Sequence, residues 1–78
     1  MTIKEMITDY EQKIFDKCGF NKDKLTDEQI EIIMKPDWGP ENFFQDGEIS
    51  HDEAKRLWVY ELRALGVYNK NLVEYMLG

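Results

Sequence analysis

The 78-residue chain is poor in nearly every residue type that reactive sites are built from. It has one cysteine, Cys18, and one histidine, His51. A single thiol excludes an intramolecular disulfide and the secreted disulfide-scaffold class with it. A zinc site takes about four ligands, more Cys and His than the chain owns. Cys-x-x-Cys, His-Glu-x-x-His, a glycine-rich phosphate loop and Gly-x-Ser-x-Gly are all missing. No apolar run approaches the roughly 18 residues of a membrane span. No alternating β-branched segment is present, so no sheet is expected. The opening residues lead into an amphipathic pattern rather than an apolar signal sequence, so the expected location is cytoplasmic.

Basic residues are scarce in one particular place. The formal net charge is −6, from 16 acids and 10 bases. Between Pro36 and Glu53 lie six acids (Asp37, Glu41, Asp46, Glu48, Asp52 and Glu53) and no Lys or Arg. The remaining chain holds ten acids and ten bases, so the whole net charge resides in this one segment. Acidity argues against direct binding of nucleic acid, which needs Lys and Arg to neutralise phosphates. It argues equally against anionic membrane surfaces. It favours encounter with a basic protein surface.

What is plentiful is apolar residues: 42% of the chain is hydrophobic and 13% aromatic, enough for a core. The spacing predicts an all-α fold, one domain of about four helices, two long and two short. Helix 1 is expected from Ile3 to Cys18, with Thr2 and Glu5 at capping-box spacing and an apolar stripe of Ile3, Met6, Ile7, Tyr10, Ile14 and Cys18. Phe15 falls off that stripe and is a candidate dimer contact, so monomer and homodimer both stay open. Gly19 is placed to end the helix, with Phe20 folding back on its last turn. Helix 2 starts at a second box, Thr26 and Gln29, and is expected to stop at Lys35, because a residue before proline is disfavoured in the α region. Lys35 to Ile49 reads as one long acidic-aromatic loop, carrying Trp38, Phe43 and Phe44. Helix 3 starts at Ser50 and Glu53 and ends at Gly66. Its apolar arc of Ala54, Leu57, Trp58, Tyr60, Leu62, Ala64 and Leu65 is wide enough to suggest a central helix packed on helix 1. Trp58 and Leu57 are expected in the core against Tyr10 and Ile14. Glu61 falls inside the arc and is expected partly buried, paired with Lys13 or Lys17, or with Tyr10. Helix 4 is short, from Asn69 or Asn71 to Leu77, anchored by Leu72, Val73, Met76 and Leu77.

Neither reactive side chain has the setting that chemistry needs. His51, the one histidine, falls in the first turn of helix 3 and reads as a surface residue. Cys18 lies near a helix C-terminus on an apolar face, which raises a thiol pKa and marks it as structural. No enzyme activity, cofactor or catalytic residue is expected.

Residues 42–53, Asn-Phe-Phe-Gln-Asp-Gly-Glu-Ile-Ser-His-Asp-Glu, resemble the twelve-residue loop of an EF-hand. Gly47 matches the sharp-turn glycine, Ile49 the apolar eighth position and Glu53 the bidentate glutamate. The resemblance implies calcium ligands from Asn42, Asp46, Glu48, Ser50 and Glu53. Departures are Asn42 in place of Asp, Phe44 where an oxygen ligand belongs, and Pro40 where an entering helix should continue.

The leading expectation is a protein-binding module: a regulator, adaptor or inhibitor docking on a basic protein surface. The expected contacts are Asp37, Trp38, Glu41, Phe43, Phe44, Asp46, Glu48 and Asp52. One version is a phage or mobile-element product that competes with nucleic acid for a DNA- or RNA-binding protein. The alternative is a calcium-binding or calcium-stabilised module using the same loop.

Overall fold

A computed structural model describes residues 2–39 and 49–77. Among these residues the protein is all-helical: α1 Asp9–Cys18, α2 Asp27–Ile33, α3 Lys35–Trp38, α4 His51–Ala64 and α5 Lys70–Leu77, with single 3-10 turns at Lys4–Met6 and Lys22–Lys24. Expected residues Pro40, Glu41, Asn42, Phe43, Phe44, Asp46, Gly47 and Glu48 lie outside the described segments.

The helix ends follow from side-chain oxygens and glycines at particular positions. Thr26 and Gln29 form the reciprocal box expected of them: the Gln29 amide donates to Thr26 Oγ1 at 3.1 Å and the Thr26 amide to Gln29 Oε1 at 2.9 Å. The Ser50 hydroxyl accepts from the Glu53 amide at 3.1 Å and starts α4. Gly19 and Gly66 stand at φ +75° and +72°, the left-handed conformation that only glycine adopts without strain. Past them, Phe20 and Val67 donate to the Phe15 and Leu62 carbonyls at 2.9 Å, which closes two Schellman turns. The Phe20 ring meets Phe15 edge-on, with centroids 6.0 Å apart.

The first helix differs from expectation. Ile7 is extended and Thr8 is an N-cap, so α1 begins at Asp9 rather than Ile3. Thr8 and Glu11 form a capping box in which the Glu11 amide donates to Thr8 Oγ1 at 3.2 Å and the Thr8 amide to Glu11 Oε1 at 2.9 Å. This box competes with a continuous helix from Ile3 and prevails. The buried face then rotates by one residue to Glu11, Ile14, Phe15 and Cys18, the i, i+3, i+4, i+7 set. Phe15 is therefore fully buried, not a free dimer contact, and Tyr10 is exposed rather than in the core.

The helix after Pro36 is a second correction. Lys35 does not open the loop; it starts α3. Met34, at φ −90° and ψ 2°, caps the end of α2 and the start of α3 at once. Pro36 falls in the first turn, where no amide donor is needed. The amides of Asp37 and Trp38 both donate to the Met34 carbonyl, at 2.9 and 2.8 Å.

The core is Ile14, Phe15, Cys18, Ile30, Ile33, Met34, Ala54, Trp58, Leu62, Val67, Leu72 and Val73. The main helix contacts are α1 with α5 and α2 with α4, with α3 touching α2 and α5, rather than the expected packing of α1 on α4. Trp58, 1% exposed, is central as expected, and its indole N–H donates to the Ile32 carbonyl at 2.7 Å. Leu57 is 49% exposed and Tyr60 73%, so the buried stripe of α4 is the narrower Ala54–Trp58–Leu62 line. One side-chain hydrogen bond reinforces each pair. The Gln29 side-chain amide donates to the Leu65 carbonyl at 3.0 Å. Asn69 donates to the Cys18 carbonyl at 2.8 Å while its own oxygen caps the first turn of α5.

Candidate functional site

Of the residues assigned to a partner surface, the structure describes Asp37, Trp38 and Asp52. Asp52 is exposed in the first turn of α4 beside His51, whose Nδ1 lies 4.0 Å from its carboxylate. Asp37 and Trp38 belong to α3, one turn that carries the chain from α2 toward α1 and α5. Trp38 is not a free aromatic anchor. It is half-buried, and its indole N–H donates to Glu11 Oε2 at 2.7 Å.

Glu11 is the centre of this arrangement and was not among the expected residues. It is 2% exposed, the one buried charged side chain among the described residues. Both oxygens are used, Oε1 by the Thr8 amide and Oε2 by Trp38. The Asp37 carboxyl group stands beside the same carboxyl, so the two can share a proton. Burial pushes the Glu11 carboxyl up, but hydrogen bonds from Asp37, from the Thr8 amide and hydroxyl, and from Trp38 outweigh burial and hold it below its ordinary value. The hydrogen bond to Glu11, then partial burial, then the Glu11 charge hold Asp37 above its ordinary value. Two carboxyl groups thus share one site, and among the described residues neither forms a salt bridge. The sequence signal for Glu11 was the Thr8-x-x-Glu11 spacing, masked by the apolar residues that precede it.

Beside the pair lies an open cavity of about 330 Å³, lined by Tyr10, Pro36, Asp37, Tyr75, Met76 and Leu77. Tyr10 and Tyr75 are exposed aromatics on α1 and α5. The Lys17 ammonium stands 5.2 Å from the Tyr75 ring centroid, a cation–π contact. This hollow was also not foreseen, because it joins residues more than sixty positions apart.

The other expected chemistry resolves simply. Cys18 is buried and burial pushes its thiol up. Glu61 is part-buried as expected, but its partner is Lys35 at 3.1 Å rather than Lys13 or Lys17. Of the residues implied as calcium ligands, Ser50 and Glu53 are described; the Ser50 hydroxyl is engaged as the α4 cap. No family model, curated protein or solved structure matches this chain.

Proposed function

We propose that this chain is a small acidic protein-binding module, a regulator, adaptor or inhibitor that docks on a basic protein surface. The observation that carries the reading is the charge map: the whole net charge of −6 falls between Pro36 and Glu53, a segment with no Lys or Arg. Complementary charge accelerates encounter with a basic patch. The docking surface takes in Asp37 and Asp52 together with Glu41, Phe43, Phe44, Asp46 and Glu48. Trp38 contributes from behind, by fixing α3 against Glu11, and the accessible rings next to Asp37 are Tyr10 and Tyr75.

The test is capture of partners from a lysate of the source cell, run in parallel with the parent and with a Glu48→Lys, Asp52→Lys double reversal. A basic protein held by the parent and released by the reversal is the expected result. Its association should slow as salt rises, because the screening length falls from about 10 Å at 0.1 M to about 3 Å at 1 M. Retention of the same partner by the reversal, or an association rate indifferent to salt, would overturn the reading. Calcium added in the same series separates the EF-hand-like alternative, since a ligand bound only by the folded state raises the melting temperature.

A further inference from the structure

We infer that the cavity between α1, α3 and α5 is a receptor for one arginine side chain of the basic partner, with Asp37 at its rim and the rings of Tyr10 and Tyr75 in its lining. The inference rests on the docking reading and gives it a chemical centre.

Four observations converge on a guanidinium. Asp37 and Glu11 place two carboxyl groups together, and among the described residues no basic side chain pairs with either. Glu11 has its oxygens occupied by Thr8 and Trp38, which leaves Asp37 as the exposed member of the pair at the cavity. The lining holds two exposed tyrosines, whose faces attract cations; the Lys17 ammonium takes one approach to the Tyr75 ring, so Tyr10 offers the more accessible stacking face. The remaining lining is Pro36, Met76 and Leu77, an apolar surface suited to the methylene stem of a long basic side chain. A planar guanidinium meets all three demands: it bonds a carboxylate in a fixed fork, stacks on aromatic rings and is weakly hydrated, whereas an ammonium is a compact, strongly hydrated point charge. The volume, about 330 Å³, stands at the small end of ligand cavities, which suits a single side chain.

The probe is a short blocked peptide with one central arginine, titrated into the isotopically labelled full chain and followed by amide shifts. Matched peptides carry lysine or the neutral isostere citrulline in its place. The arginine peptide should move amides around Asp37 and Tyr75, and the citrulline peptide should leave them in place. Asp37→Asn should weaken binding by about tenfold or more, the scale of one hydrogen bond to a charged group. Tyr75→Ala should weaken it independently, and Tyr60→Ala, on the exposed side of α4, should bind like the parent. The amide spectrum of each variant reports its folding directly. Equal binding of arginine and citrulline or lysine peptides, full affinity in Asp37→Asn, or equal loss in Tyr60→Ala would overturn the assignment. The Glu48→Lys, Asp52→Lys reversal, titrated alongside, separates the two levels. If it alone weakens binding, the acidic docking surface stands and the arginine cavity falls. If no variant weakens binding, both fall.

Discussion

Replacing Glu11 tests whether the buried carboxylate is what clamps α3 onto α1. Glu11→Ala removes the acceptors for the Trp38 indole N–H at 2.7 Å and the Thr8 amide at 2.9 Å. A hydrogen bond to a charged acceptor contributes about 1.5–3 kcal/mol, so the two together set an upper bound of about 3–6 kcal/mol. Thr8 is exposed and its amide can turn to water, which recovers much of its half. The expected loss is about 2–4 kcal/mol, a large part of the ~4–12 kcal/mol that a domain of this length has in total. At roughly 4–8 °C per kcal/mol for a domain of this size, the melting temperature should fall by about 8–32 °C. Glu11→Gln keeps one oxygen but turns an NH₂ toward one of the two donors, so its loss should be smaller, about 1–3 kcal/mol. The pH dependence has a defined sign. Glu11 is held below its ordinary 4.5, so its stabilisation is present above that value and is lost as pH falls through the folded value. Asp37 is held above its ordinary 3.8, so its contribution is present below that value and is lost as pH rises through the folded one. The gap between parent and Glu11→Gln should therefore be widest near neutral pH and narrow below 4.5. Thermal melts followed by circular dichroism at pH 7 and pH 3 measure both quantities. A Glu11→Ala protein that melts within a few degrees of the parent, or a gap that does not change with pH, would refute the clamp.

Trp58→Ala should lose about 3–5 kcal/mol in urea denaturation, while Trp58→Phe, which keeps most of the buried ring and drops the bond to Ile32, should lose about 1–3 kcal/mol. Asn69→Ala removes the α5 cap and the bond to the Cys18 carbonyl, for about 2–3 kcal/mol together. Asn69→Asp keeps the cap and loses only the donor, so it should unfold at an intermediate urea concentration. Gly66→Ala should lose about 1–2 kcal/mol from left-handed strain alone, because an added Cβ at Gly66 meets no heavy atom within 4 Å; a loss well above that in the same assay would show that the turn is sterically closed.

How far the site was legible depends on the range of the interactions that build it. The acidic segment was plain, because charge is counted along the chain. The charge and aromatic content of that segment single out Asp37 and Trp38 but say nothing of what Trp38 meets: its indole is held by a carboxylate 27 positions away. Nothing near Glu11 announces that contact. A Glu on the face of an amphipathic helix reads as the solvated side, and the apolar Tyr10 beside it reads as core. The two exchange places because Thr8 caps the helix and because Trp38 supplies the donor that lets a carboxylate be buried.

Features that depend on a few neighbouring residues can be read along the chain. Helical character, the Thr26–Gln29 box, the cap at Ser50 and the glycine stops at Gly19 and Gly66 all follow from side-chain oxygens and left-handed backbone acting within one turn, whereas the choice of Asn69 over Asn71 as the last cap came with the structure. Trp58 and Leu62 were also legible, because their spacing marks the centre of the α4 stripe. Tertiary structure alone decided which parts of each apolar arc are covered. Leu57 and Tyr60 satisfy the helical period as well as Trp58 does, yet no described helix covers them, since α4 packs chiefly on α2. It likewise decided that Lys35, not Lys13 or Lys17, meets Glu61, and that Tyr10, Asp37 and Tyr75 border one hollow. Periodicity fixes the direction in which a side chain leaves its own helix; what it meets there is set by packing between helices distant in the chain.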